Sequence, residues 1–271
     1  MLTHFLAIPE LDLTSEGFRY ATFYTSEKTI ASEGFEFPRK RMVGKQAEYC
    51  FEHYLKHHPS YELLAANIQI QGATETIGEL DYIIKNRISD KLIHIELACK
   101  FYLFDPNLNT ANTASEVGKT ASWIGPNRKD TLSEKLSKLS EKQFPLLYKA
   151  ETLSVLEKMG VSTQSMDQQV CLKAMLFFPK QFNAQDLLKE YQQNIEGYYI
   201  SFTEFLKEIN NEATYAIPDK KEWLLPVEEL EKWHFFSEIS TWVEVQLNKK
   251  KSPLLYKKSG EHIEKFFVVW W

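Results

Sequence analysis

Between residues 76 and 104 two segments, TIGELDYIIKN and KLIHIELACKFYLF, each set one carboxylate among apolar neighbours, and a lysine follows the second. Asp81, Glu96 and Lys100 are therefore the residues whose types suggest chemistry. Two carboxylates on adjacent strands suit a hard divalent cation, Mg²⁺ or Mn²⁺, which takes carboxylate oxygens and keeps several waters. Such an ion leaves room for a phosphodiester oxygen and a nucleophilic water, and a nearby lysine steadies charge that develops on phosphate.

The elements that must position these groups follow from alternation. Side chains along a β-strand point to opposite faces in turn, so Glu79 and Asp81 share one side of their segment. On the next segment His94, Glu96, Ala98 and Lys100 face one way, and Ile93, Ile95, Leu97, Cys99 and Phe101 the other. The short polar stretch 86–90 predicts a hairpin, which would bring the two equipped faces side by side. The alternative is a salt-bridged strand face with shifted pKa values and no chemistry.

The pattern of D, then E followed by K on the adjacent strand, resembles the PD-(D/E)XK nuclease superfamily, whose restriction-endonuclease-like core is αβββαβ. The longer wording GELDYII, HIELACKFYLF, WIGPNRKD and EKQFPLLY is similar to one uncharacterised bacterial domain-of-unknown-function family within that superfamily. The likeness extends over most of the chain, to YAIPDKKEWLLPV at 215–227. It implies an α/β fold with a mixed α+β sheet, Asp81 and Glu96 as ligands of Mg²⁺ or Mn²⁺, the Leu97 carbonyl as a further ligand, and Lys100 as electrophile or water-positioner. One departure stands out: the superfamily's lysine follows its acid by two residues, where this chain has Ala98. Lys100 keeps the same strand face but lies ~6.6 Å further along, at a rise of ~3.3 Å per residue.

Residues 43–55 predict the helix before the first core strand, with Val43, Ala47, Cys50, Phe51, Tyr54 and Leu55 at helical spacing and Gly44 permitting close packing on the sheet. Glu48 falls on the flank of that stripe. The resemblance makes it a further metal ligand pointing toward Asp81; otherwise it is an ordinary surface glutamate. Residues 61–71 predict the first strand, and 170–179, almost continuously apolar, a fourth strand buried on both faces. Residues 105–129, rich in Asn, Thr and Ser with Gly118, Gly125 and Pro126, predict a long loop.

A helix follows, opened by the capping box Thr131 to Glu134 and ended by Pro145. Leu132, Leu136 and Leu139 form its apolar row, and Gln143 continues that row with a polar amide that needs a partner. Gln143 can join the active site in the resemblance; in the residues alone it caps the helix end or binds backbone. Lys135, Lys138 and Lys142 make a stripe on one flank, near Arg128 and Lys129 in sequence, so these five cations are the expected nucleic-acid-binding surface for DNA or RNA. A solvated helix face is the plainer account, partly balanced by Glu134 and Glu141.

The chain of 271 residues is 44% hydrophobic and 25% charged with a net charge of −5, so any nucleic-acid footprint must be local. A nuclease-like unit over 1–185 with an aromatic N-terminal extension, and an appendage over 186–271 packed on it, account for the length. In the appendage 197–202, 228–248 and 266–271 predict strand, helix and strand, and Lys249, Lys250 and Lys251 read as a helix C-terminal stop favoured by the dipole rather than as a phosphate site. No segment reaches the ~20 apolar residues of a membrane span. The start of the chain lacks a basic, long-apolar leader, so the expectation is a cytoplasmic protein. Cys50, Cys99 and Cys171 read as buried thiols. His53 and His57, one turn apart, lack a third zinc ligand in sequence.

Overall fold

The computed structural model describes residues 1–14, 17–26, 34–108, 120–182, 189–209 and 212–271. The Asn/Thr/Ser-rich part of the 105–129 loop, with Gly118, and residues 183–188 lie outside the described residues.

The chain begins with α1 (Leu2–Ala7) and β1 (Ala21–Thr22). The series α2 (Val43–His57), β2 (Tyr61–Gln71), β3 (Thr76–Asn86) and β4 (Leu92–Phe104) follows. After β5 (Trp123–Ile124) come α3 (Leu132–Lys138), a π-helical stretch Leu139–Gln143, α4 (Phe144–Leu146), α5 (Ala150–Lys158) and β6 (Asp167–Pro179). The last third holds α6 (Lys189–Gln192), β7 (Ile195–Ser201), α7 (Phe202–Lys207), β8 (Thr214–Ala216), β9 (His234–Phe235), α8 (Phe236–Asn248), β10 (Leu254–Ser259) and β11 (His262–Val269). The fold is thus mixed α/β, with α2, β2, β3, β4, the helices after β5, and β6 in the order αβββαβ.

One sheet runs β2-β3-β4-β6-β7-β11-β10-β8-β9. Its middle is parallel, from β4 through β6 and β7 to β11, and both flanks are antiparallel. The strands from residue 195 onward continue the same sheet, and Tyr199, Trp223 and Phe267 share a core with α2 and β4. α2 covers one face with the apolar stripe read from its spacing, against Ile93, Ile95, Leu97 and Phe101. α3 covers the other, where Leu132, Leu136, Leu139 and Phe144 meet Ala98 and Tyr102.

Several expectations change. A Cβ at Gly44 would meet nothing within 4 Å, so the glycine is not what lets α2 approach the sheet. Pro145 does not end its helix. The π-helical stretch restarts the winding, and Pro145 sits in the first turn of α4, where a missing N–H costs no hydrogen bond. The helix expected over 228–248 begins only at Phe236, where the Phe235 N–H donates to Glu238 Oε2 at 2.6 Å. α5, β8 and β10 have no counterpart in the sequence pattern.

β6 carries a lysine in its buried run. Lys173 is fully buried, pairs with Glu10 at 2.7 Å, and donates to the carbonyls of Ile8 (2.6 Å) and Leu6 (3.3 Å) and to Thr25 Oγ1 (3.0 Å). The N-terminal arm also supplies backbone bonds to this edge of β6, Leu11 N–H to Leu172 O and Phe23 N–H to Val170 O, both 2.8 Å. The arm thereby closes an edge that would otherwise stay open to pairing. Removing one member of a buried ion pair strands the other, so Glu10→Ala should destabilise the protein by about 3–5 kcal/mol. The double change Glu10→Leu with Lys173→Met should cost much less, as read by urea unfolding of both variants; equal losses would show that the pair's charges are not the issue.

Candidate active site

β3 and β4 form an antiparallel ladder from Lys85↔Leu92 to Tyr82↔Ile95. The same register would set Asp81 opposite Glu96, and there the ladder stops. The Leu97 N–H, released from backbone pairing, donates to Asp81 Oδ2 at 2.8 Å. The two carboxylates named by the sequence thus meet where the strands part, Glu96 fully buried and Asp81 partly so.

Glu96 has two partners. Its Oε1 lies 3.0 Å from His94 Nε2, and its Oε2 accepts from the Gln143 amide. Gln143 Oε1 accepts from Lys135 Nζ at 3.0 Å. On the far side His94 Nδ1 lies 3.1 Å from Gln168 Nε2, which also donates to the Phe144 carbonyl at 2.8 Å. These partners assign the proton on His94 to Nε2, with Nδ1 accepting. A relay Lys135–Gln143–Glu96–His94–Gln168 therefore spans α3, the π-helical stretch, β4 and β6. The π-helical stretch is what aims Gln143: one wide turn shifts the helical phase after Leu139, a distortion common at functional sites.

The environment shifts every ionisable member. Burial pushes the Asp81 carboxyl up to about 7, and the charge of Glu96 adds to this. Burial also pushes Glu96 up to about 7, against the pull of Lys135 and hydrogen bonding with Asp81. His94 is lowered to about 4 by burial and stays neutral at pH 7. Lys135 is lowered by burial, although Glu96 and Asp81 favour its charged form. Gathered carboxyls with raised pKa values beside a desolvated cation are the arrangement expected where protons or cations exchange.

The other sequence-named residues divide between this site and positions away from it. Lys100 pairs with Asp130 at 2.6 Å, two residues along the same face from Ala98, and makes no hydrogen bond to Asp81 or Glu96. Gly125 permits this pair, since a Cβ there would stand 2.2 Å from Asp130 Oδ1. Glu48 is on the helix covering the opposite face and pairs with Lys45 at 2.5 Å; Asp81 and Glu79 also favour the protonated form of Lys45. Leu97 contributes its N–H to the site. Lys135 turns inward, away from the stripe it shares with the exposed Lys138 and Lys142. Arg128 pairs with Asp105 at 2.9 Å, and Lys129 is exposed beside it. Among the described residues no three His, Cys, Asp or Glu side chains gather as ligands of one ion. His53 and His57 simply stack, rings 4.0 Å apart.

Two members of the relay escape the sequence pattern. His94 was visible on the Glu96 face by alternation, but nothing local gives it a role. Gln168 reaches the site through the parallel pairing His94↔Gln168, a long-range register that no local pattern encodes.

Residues 25–269 match the family described as Domain of unknown function (DUF1853), and the chain belongs to that family. No curated protein and no solved structure matches the chain.

The raised pair has a sign that stability measurements can read. Asp81 and Glu96 titrate together near 7 when folded, against ordinary values of 3.8 and 4.5. The folded state therefore binds more protons between those limits, and stability falls as pH rises through about 4 to 7, then levels. His94 works the other way over about 4 to 6.5, one imidazole against two carboxyls. Metal-free protein should thus lose stability from pH 5 to pH 7. Asp81→Asn should flatten that slope and stabilise the protein at pH 8 by about 1–2 kcal/mol. A wild-type stability that rises across this interval in chemical denaturation would contradict the assignment.

Proposed function

We propose that this protein is a divalent-metal-dependent nuclease of the PD-(D/E)XK type, hydrolysing phosphodiester bonds in DNA or RNA. The observation that carries the reading is the meeting of Asp81 and Glu96 at the parting of β3 and β4, under a helix that brings the Gln143 amide to Glu96 and Lys135 to Gln143. The αβββαβ order and the αβββαβ superfamily likeness of the wording around Asp81 and Glu96 support it.

The donor set fits a hard cation. Mg²⁺ is held by as few as one or two carboxylates when waters and substrate phosphate complete its shell. Asp81 and Glu96 would hold Mg²⁺ or Mn²⁺ in this reading, and the ion would supply Lewis-acid polarisation of the phosphodiester. Lys135 takes the part the sequence suggested for Lys100: a cation kept beside the carboxylates, held through Gln143, that stabilises charge developing on phosphate. Gln143 and His94 orient Glu96 from its two oxygens, much as outer partners orient metal ligands. Lys100 instead secures the turn that carries Asp130.

A second reading is favoured by one observation. Both oxygens of Glu96 already have protein partners, as they would in a nuclease fold retained for nucleic-acid binding or scaffolding without catalysis.

Mg²⁺ or Mn²⁺ should raise the Tm of wild type and not of Asp81→Ala, because an ion that binds only the folded state stabilises it. In a divalent-dependent cleavage assay on single- and double-stranded DNA and RNA, Lys135→Ala should lower the rate by roughly 10²–10³ with metal binding retained. Lys100→Ala should lower it far less. An equal Tm shift in Asp81→Ala removes the metal from this position, and a metal-dependent shift without cleavage of any substrate establishes the non-catalytic reading.

A further inference from the structure

Far from the carboxylates in sequence, the fold assembles a second feature. Asn127, Arg128 and Lys129, from the turn after β5, meet Lys249, Lys250 and Lys251, which follow α8, and Trp270 beyond β11. They line a hollow of about 520 Å³ with five cationic side chains, of which Arg128 is already paired with Asp105, and no acid in the lining itself. The protein as a whole is net negative at −5, so the cluster runs against the overall charge.

Three ties hold the two segments together. Asn127 Oδ1 accepts from the Ser252 N–H at 2.8 Å, Trp271 Nε1 donates to the Pro126 carbonyl at 3.4 Å, and the Arg128 guanidinium lies 4.6 Å over the Trp271 ring. Arg128 (φ 53°) and Lys250 (φ 54°) both have left-handed backbones, an unfavourable conformation for residues with a Cβ. Strain of this kind collects at binding sites. Among the described residues the Trp270 indole N–H has no acceptor, and Lys250 Nζ lies 5.4 Å over that ring.

The cavity is not isolated. It shares Asn127 and Lys251 with a neighbouring hollow of about 400 Å³, which also has Lys220 and Lys221 in its wall. That hollow shares Met42, Lys220 and Trp223 with a third, of about 280 Å³, whose wall includes Lys100 on β4. The acids along this track, Asp219 and Asp130, already pair with Lys221 and Lys100. A basic trough therefore leads from Trp270 to the strand that carries Glu96.

We infer that the cavity formed by Arg128, Lys129, Lys249, Lys250, Lys251 and Trp270 anchors the phosphate backbone of a single nucleic-acid strand whose continuation runs along the trough toward Asp81 and Glu96. This rests on the proposed nuclease reading for the strand's destination. A single strand fits because its phosphates match unpaired lysines and its bases can stack on an indole, whereas a rigid duplex cannot enter a hollow of this size. The region after α8 then supplies part of the substrate site, a role beyond ending a helix.

The test is binding of a fluorescein-labelled single-stranded oligodeoxynucleotide to the full-length protein in EDTA, so that neither metal nor cleavage contributes. Lys250→Gly with Lys251→Ala removes two charges, and glycine suits the left-handed backbone at 250. Affinity should fall about tenfold, and the slope of log K against log salt should flatten by roughly 1.4, about 0.7 per lost contact. The pair Lys149→Ala with Lys158→Ala, equal in charge but outside the cavity, should change neither. Trp270→Phe, which keeps an aromatic ring of smaller area and removes the N–H, should weaken binding with little change in salt slope. Equal losses in both lysine pairs, wild-type affinity in the cavity pair, or displacement of the strand by polyglutamate as readily as by unlabelled oligonucleotide would each overturn the inference. If the cavity pair weakens binding but wild type cleaves nothing, the nuclease reading fails and the anchor stands. If wild type cleaves and the cavity pair binds and cleaves with unchanged KM, the anchor alone fails.

Discussion

The parallel pairing of β4 with β6 is the constraint on which the rest depends. Eleven consecutive pairs, from Ile93↔Asp167 to Leu103↔Phe177, join the strand bearing Glu96 to the most apolar strand of the chain. Strands buried on both faces must have both faces covered, which α2 does on one side and α3 with its π-helical extension on the other. The same pairing sets His94 beside Gln168 and so completes the hydrogen bonding around Glu96 from a residue more than 70 positions away.

Covering the sheet also decides the electrostatics. A helix laid over His94, Glu96 and Ala98 removes water from Glu96, and a desolvated carboxylate needs either a proton, a cation or donors. The fold provides donors through Gln143 and a cation through Lys135, and the raised pKa of about 7 leaves the proton exchangeable near neutrality. Asp81 escapes full enclosure because the β3–β4 ladder ends beside it. The point where pairing fails is thus the point where a carboxyl of this pair keeps contact with solvent.

The last third of the chain extends this sheet rather than standing beside it. β7 joins β6 in parallel and β11 joins β7, so the C-terminal ends of four parallel strands lie along one edge. Open α/β sheets commonly bind ligands outside such strand ends. Trp270 and Trp271 emerge there from β11 and meet the turn that follows β5. Gly197 on β7 makes the close approach to β11 possible, since a Cβ at this position would stand 1.9 Å from the Lys265 carbonyl oxygen.

The amino-acid sequence by itself determined the local elements whose signals are periodic: the stripe of α2, the alternation of β3 and β4, the apolar run of β6, and the Thr131–Glu134 capping box seen in the bonds at 2.8 and 3.0 Å. It also determined that Asp81 and Glu96 share a site, because strand alternation and a short hairpin leave little freedom. The lysine was different. Lys100 is near Glu96 in sequence and on its face, yet Asp130 takes it, while Lys135 arrives from a helix whose flank looked solvent-facing. Which cation reaches a carboxylate depends on how a helix is rotated and shifted on the sheet, and a π-helical turn alters that phase without any mark in the periodicity. The buried Lys173–Glu10 pair and the meeting of Arg128 and Lys129 with Lys249, Lys250 and Lys251 are likewise decided by tertiary structure alone. Contacts between segments more than 100 residues apart follow from sheet order and register, which no local pattern of polar and apolar residues can specify.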